Sequence, residues 1–274
     1  MILRGSVYSR ALRMETGIAV LTPGDFTGDR PYRVCYLLHG LCGGNGDYLN
    51  YTMLPWYAAR LGTVFIMPEV ARSFYADMRR GQKYFTYVAE ELPRIAGRLF
   101  NISSARSDTA VAGCSMGGYG ALKCALSYPE RYGYCAAFSS SCLFLQEDLA
   151  SLATPEGAAA ARDAFGEQLS IDFAAAFGED LEWRREDDLL ALARGIDDAA
   201  EKPELFLACG DKDPFLAGNR RFSGDIRDAG FKVVYRESPG EHNWMFFDTA
   251  LRSALEWLYP DAGLAALQNA TVPQ

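Results

Sequence analysis

Short apolar runs and amphipathic stretches alternate along most of this chain. Residues 2–8 and 16–22 interleave apolar and polar positions, which predicts two antiparallel strands at one sheet edge. Tyr32-Arg33-Val34-Cys35-Tyr36-Leu37-Leu38 predicts a buried strand ending at His39-Gly40, and residues 63–67 another ending at Pro68. Apolar residues recur at three- and four-residue spacing over 84–100, predicting a helix with Pro93 as a candidate kink. Residues 109–112 predict a strand, and 118–127 a helix that stops before Pro129. Further strands are predicted at 134–138, 205–209 and 232–236, with a helix at 218–229 between the last two and a final helix at 249–259. Strands alternating with helices predict an α/β fold, a mostly parallel sheet with helices on both faces.

Residues 143–200 break the rhythm. They are rich in Ala, Asp and Glu and predict several short helices without a strand. Two placements stay open for them: an insertion that shapes a pocket over the carboxyl ends of the strands, or a surface excursion. Residues 260–274 read as a weakly ordered tail.

Length and composition narrow this picture. A chain of 274 residues that is 49% hydrophobic suits one large α/β domain, here 1–260, with 261–274 as its tail. A net charge of −8 argues against nucleic acid and anionic membrane as partners, because both demand basic patches. No run approaches the roughly 18 apolar residues of a membrane span. Arg4, Arg10 and Arg13 interrupt the N-terminal stretch, which is therefore not read as a signal peptide. The seven cysteines include no Cys-x-x-Cys pair, and several lie in apolar strand-like runs. They read as small buried hydrophobes in a reducing cytoplasm, not as a disulfide framework or a zinc site. On that reading the sequons at Asn50, Asn101 and Asn269 carry no meaning.

The chemistry concentrates at Gly113-Cys114-Ser115-Met116-Gly117. A Gly-x-Ser-x-Gly pattern between a predicted strand and a predicted helix is a nucleophile elbow, a sharp turn that lifts the serine hydroxyl above the sheet. The flanking glycines are required because a β-carbon there would strike the neighbouring strand or helix. Cys114 should point into the core. A serine hydroxyl needs a base to become a nucleophile, and imidazole is the usual one. On such an elbow the partners follow in the order serine, acid, histidine. Of the two histidines only His242 comes after Ser115, in the turn-rich loop Ser238-Pro239-Gly240-Glu241-His242-Asn243-Trp244. The acid falls after the 205–209 strand, where Gly210-Asp211-Lys212-Asp213-Pro214 offers Asp211 and Asp213. Asp248 and Glu241 neighbour His242 too closely in sequence to reach its far side. An oxyanion hole needs two backbone N–H groups. Met116, directly after the serine, and Leu41, after Gly40, are the candidates. His39 then braces the loop and carries no protons. Gly43-Gly44-Asn45-Gly46 makes a flexible rim, with no Lys-Ser/Thr to make it a phosphate loop.

With these pieces in place the chain resembles the esterase D-type ("putative esterase") family of α/β-hydrolases, and most of all its small bacterial tributyrin/acetyl esterases. The resemblance is carried by Leu37-Leu38-His39-Gly40-Leu41, Met67-Pro68, Ser73-Phe74-Tyr75-Ala76-Asp77-Met78, Tyr84-Phe85-Thr86-Tyr87, Glu90-Glu91-Leu92-Pro93, Gly113 to Leu122, and Pro239-Gly240-Glu241-His242-Asn243-Trp244. It implies hydrolysis of short-chain acyl esters through an acyl-enzyme, without metal or cofactor. It also implies Ser115 as nucleophile, His242 as base, Asp213 as the acid, and Leu41 and Met116 as the oxyanion hole. Asp211 becomes a turn residue that bonds its own backbone. Ser73-Phe74-Tyr75 resembles a loop bordering the pocket, so Phe74 and Tyr75 join His39, Gly40 and Trp244 as substrate-binding candidates. Relatives often continue Phe-Leu-Tyr after the acid, whereas this chain has Pro214-Phe215-Leu216. Proline fixes φ and removes a donor, so the pocket wall there should differ.

The expected partner is a small-molecule ester, and a homo-oligomer is compatible with the sequence. The alternatives are a thioesterase like the S-formylglutathione hydrolases, a feruloyl esterase, an acyltransferase, or a catalytically silent binding protein on the same fold.

Overall fold

A computed structural model describes residues 1–24, 29, 31–197 and 201–264. Its frame is one eight-stranded sheet in the order β1-β2-β4-β3-β5-β6-β7-β8. The strands are β1 (Ile2–Ser9), β2 (Met14–Leu21), β3 (Arg33–Leu38), β4 (Thr63–Pro68), β5 (Thr109–Cys114), β6 (Tyr134–Phe138), β7 (Glu204–Gly210) and β8 (Val233–Ser238). β1 pairs with β2, and β2 with β4, antiparallel; every other neighbouring pair is parallel. This is the α/β-hydrolase architecture. Strands buried on both faces read as continuous apolar runs, and their side chains still alternate. Val34, Tyr36 and Leu38 of β3 enter one core, and Cys35 and Leu37 enter the other.

Helices cover both faces. The short α1 (Asp47–Tyr51) and α2 (Leu54–Ala58) pack with the last helix against one core. On the other face the helix predicted over 84–100 is present, and its irregularity has a chemical cause. α3 (Tyr84–Thr86) runs into a π-helical turn at Tyr87–Glu91 and then into α4 (Leu92–Leu99). Pro93 has no N–H to give the carbonyl of Ala89 four residues back. The wider turn carries the Leu92 N–H to Tyr87 O, and the Arg131 guanidinium donates to the Ala89 carbonyl. α5 (Met116–Ser127) follows β5 and is buried along nearly its whole length.

The stretch between β6 and β7 is helical and, among its described residues, carries no strand. It contains α6 (Leu145–Leu152), α7 (Pro155–Phe165), α8 (Glu167–Phe177) and α9 (Leu189–Arg194). α10 (Leu216–Asp228) links β7 to β8. The closing helix α11 (Trp244–Leu258) starts five residues before the predicted Thr249, because Asn243 caps it by accepting the Phe246 N–H at 3.2 Å. The tail differs from expectation at its start: Pro260–Ala262 forms a 3-10 turn and Leu264 is buried in the core. From 265 onward the expected tail, with the Asn269 sequon, lies outside the described residues. Among the described residues no helix is long and apolar enough to cross a membrane.

Removing the donor that serves Ala89 should be costly. Arg131→Met keeps the aliphatic stem and leaves that carbonyl unpaired. It should lower unfolding stability by about 1–3 kcal/mol in urea titrations, with little change in m-value.

Candidate active site

β5 ends in the turn that the sequence predicts. Ser115 sits at φ 55°, ψ −122°, a conformation that costs a non-glycine residue about 1–3 kcal/mol and must be imposed from outside. Backbone contacts impose it. The Ser115 N–H bonds Phe138 O of β6 at 2.9 Å, and the Ser115 carbonyl accepts from Gly118 N at 3.0 Å. The two elbow glycines are sterically required. A β-carbon on Gly113 would lie 2.1 Å from Gly117 O, and one on Gly117 would lie 2.0 Å from Leu38 O. Cys114 points away into the core, where burial pushes its thiol up to about 12, so it is no nucleophile at neutral pH.

Ser115 Oγ lies 2.9 Å from His242 Nε2, and His242 Nδ1 lies 2.8 Å from Asp213 Oδ2. The loop that carries His242 is fastened to the loop after β7. Asp211 Oδ1 accepts the Gly240 N–H at 3.0 Å, Lys212 N–H bonds Gly240 O at 3.0 Å, and a β-carbon on Gly210 would meet Gly240 O at 2.4 Å. Asp211 therefore differs from its expected role as a turn residue bonding its own backbone. It is exposed and ties down the histidine loop. Asp213 is buried, and its second oxygen accepts the Phe215 N–H at 2.8 Å. Burial alone would raise its carboxyl, but donors from His242, Ser139 and Phe215 outweigh that and hold it below the usual carboxylate range. Phe215 and Phe247 set their rings against the imidazole with centroids 5.2 and 5.1 Å away. Asp248 is engaged elsewhere, accepting from Met53 N–H and Tyr57 OH.

The loop after β3 lies against the serine. A β-carbon on Gly40 would be 3.5 Å from Ser115 Cβ. His39 holds this loop from below and is 1% exposed. Its Nδ1 bonds Gly40 O at 2.8 Å, its Nε2 receives the Val70 N–H at 3.1 Å, and its carbonyl accepts Tyr75 OH at 2.9 Å. Glu69 accepts the N–H groups of Asn45 and Ala71, which pins the glycine-rich rim.

A cavity of about 890 Å3 opens above Ser115. Of the five substrate-binding candidates, Gly40, Phe74 and Trp244 line it. His39 and Tyr75 do not, and both need correction. Consecutive positive φ values of 50° at Phe74 and Tyr75 turn Phe74 toward the cavity and bury Tyr75 completely, under the His39 carbonyl. His39 and Tyr75 lie buried beneath the site. Leu41 lines the cavity, whereas Met116 is fully buried behind the serine. Pro214 and Phe215 form part of the wall, and Phe215 stacks on Phe165 of α7 at 6.2 Å. Side chains of α6, α7 and α8 line the same cavity. Phe74 anchors α8 through Phe173 and Phe177.

Sequence reasoning missed Ser139, Glu69 and Asp148, whereas Phe215 falls in the Pro214-Phe215-Leu216 stretch where a different pocket wall is expected. A run of three serines at the carboxyl end of a predicted strand was a usable signal for Ser139. Nothing in the sequence separated Asp148 from the solvated acids around it.

The arrangement can pass the Ser115 proton to an imidazole whose far nitrogen faces a buried carboxylate. Comparison with known proteins points to ester hydrolysis. The family model described as "Putative esterase" matches residues 9–258. An acetyl esterase of Caldicellulosiruptor saccharolyticus is 28% identical over 267 residues, covering 94% of this chain and 97% of that protein. The fluorophosphonate-binding serine hydrolase FphF of Staphylococcus aureus, solved with substrate bound, superposes with a TM-score of 0.79 at 26% identity, covering 94% of this chain and 98% of that one. The S-formylglutathione hydrolase FrmB of the same organism superposes equally well, with a TM-score of 0.79 at 24% identity and the same coverage, 94% and 98%.

Glu69 offers a test of the loop support. Burial would raise its carboxyl, but the His39 imidazole and the Ala71 and Asn45 N–H groups bring it down from 4.5 to about 2. A carboxyl depressed in the folded state stabilises above its unfolded pKa and loses that contribution as pH falls through the folded one. Its side chain is 32% exposed, so Glu69→Gln should cost only about 1–2 kcal/mol at pH 7. The gap between the two proteins should shrink as pH drops from about 4.5 toward 2, measured by unfolding at each pH.

Proposed function

Because the chain belongs to the "Putative esterase" family and is a serine esterase, we propose that Ser115, His242 and Asp213 are its catalytic triad. One observation carries this reading: a strained serine whose hydroxyl lies 2.9 Å from an imidazole backed by a buried carboxylate at 2.8 Å. Ser115 Oγ attacks the ester carbonyl while His242 Nε2 takes its proton. Asp213 fixes the tautomer that leaves Nε2 free to accept and stabilises the imidazolium that forms. The oxyanion sits between the N–H groups of Leu41 and Met116. Among the described residues neither N–H is given to another group, which supports that role. His242 returns the proton to the departing alcohol, and water repeats the sequence on the acyl-enzyme.

The substrate is a small-molecule ester with a short acyl chain, a reading supported by the acetyl esterase relative. A second reading, esters of aromatic acids such as feruloyl esters, is favoured by the walls Phe144, Phe165, Phe173 and Phe215. Thioesters of glutathione fit less well. That peptide carries two carboxylates, and no lysine or arginine among the described residues lines the cavity. Residues 1–260 act as one catalytic unit, with 143–200 as the cap over its site. The free thiols at all seven cysteines suit a reducing compartment, which makes the cytoplasm the working location.

Ser115→Ala should lower kcat toward p-nitrophenyl acetate by about three orders of magnitude or more and abolish covalent labelling by a fluorophosphonate. Asp213→Asn should cost about 100-fold or more, since the amide favours the wrong tautomer. Asp211→Asn should leave kcat nearly unchanged, because the amide oxygen still accepts the Gly240 N–H. Near-wild-type turnover by Ser115→Ala would defeat the proposal, and a larger loss at Asp211 than at Asp213 would reassign the acid.

A further inference from the structure

α6 divides its acidic pair. Glu147 turns outward and receives both arms of Arg221, at 2.7 and 2.6 Å. Asp148 turns inward and lines the cavity with Phe144, Ser151 and Leu152, the i, i+3, i+4 stripe that a helix presents on one side. Among the described residues nothing donates to the Asp148 carboxyl. Arg221, the nearby cation, is committed to Glu147 and, at 3.7 Å, to Asp225. The other acid of the wall, Asp47, already accepts the Gly44 N–H at 3.0 Å.

An ionised carboxylate is an acceptor only, and burying one among apolar groups without a donor is unfavourable. Burial, with Glu147 beside it, raises the Asp148 carboxyl to about 6, so it stays largely ionised at neutral pH. The wall around it is mainly aromatic and aliphatic, with the Ser151 hydroxyl on the same stripe, and supplies no compensating charge. Asp148 is half-buried and still meets solvent, so a substrate that covers it has to bring a donor in place of water. We propose that Asp148 is a specificity-determining residue that selects esters carrying a hydrogen-bond donor, a hydroxyl or an ammonium, away from the scissile bond. This rests on the esterase reading and deepens it: the pocket takes donor-bearing esters, tolerates plain ones and rejects anionic ones.

The test compares wild type with Asp148→Asn and Asp148→Leu on matched p-nitrophenyl esters whose acyl chains end in methyl, hydroxyl, ammonium or carboxylate. A second series carries the same groups on the alcohol. In one of the two series wild type should prefer the hydroxyl or ammonium ester over the methyl ester by about tenfold or more in kcat/KM, and should disfavour the carboxylate. Asp148→Leu should erase both effects. Asp148→Asn, which still offers an acceptor, should keep part of a hydroxyl preference and lose an ammonium preference, which separates the two donors. Asp148→Leu should melt no lower than wild type, since it removes a half-buried carboxyl that has no donor from an apolar wall. A wild type indifferent to the donor in both series, a parallel loss on all esters, or a sharp fall in melting temperature would each overturn the proposal. Fluorophosphonate labelling keeps the two readings apart. If wild type labels at Ser115 but shows no donor preference, the Asp148 proposal fails alone. If it does not label, the esterase reading fails and takes this proposal with it.

Discussion

Backbone packed directly on backbone at the end of β5 is the constraint on which this site depends. Gly117 lies so close to the carbonyl of Leu38, and Gly113 so close to that of Gly117, that neither position has room for a β-carbon. The chain between them can only turn through Ser115 with a positive φ. That strain persists because the surrounding sheet over-determines it: β3 and β6 flank β5 on both sides, and α5 is buried along its length. The same approach brings the loop after β3 against the serine. The hydroxyl and the Leu41 segment are therefore positioned by a single contact.

The histidine depends on a second backbone union. Gly210 and Gly240 touch closely, and Asp211 and Lys212 add two hydrogen bonds between the loops after β7 and β8. Two acids on either side of Lys212 thus divide the labour. The exposed one fastens loop to loop, and the buried one faces the imidazole. Their chemistry is the same, and solvent access and partners separate them. Phe215 and Phe247 hold the ring from its sides, which leaves His242 little freedom beyond the Ser115–Asp213 axis.

Much of the fold was legible because a buried parallel strand must be apolar on both faces, and such runs stand out. The strands at 134–138 and 205–209 and the elbow fell where hydrophobic patterning put them. Misses came where one hydrogen bond moved a boundary or a bend decided a side-chain direction. Asn243 started α11 early by capping it. The irregular turn at Pro93, by contrast, falls in the helix predicted with a kink there, and Arg131 serves the Ala89 carbonyl that the proline orphans. Tyr75 was expected at the pocket from its place in a resembling motif. Two successive positive φ values buried it instead and left only Phe74 at the wall.

The sequence by itself determined the elbow serine, the histidine that follows it in the order such an elbow requires, two candidate acids and the layered α/β frame. Those are set by local geometry and by which residue types can perform a proton transfer. Only the tertiary structure decided which acid meets the imidazole, that His39 and Tyr75 lie beneath the site, and that Asp148 alone among its acidic neighbours looks inward. These outcomes depend on contacts between segments 30 to 130 residues apart, such as Ser115 with His242 at a separation of 127. A pattern of nearby residues holds no record of which distant surface will cover it.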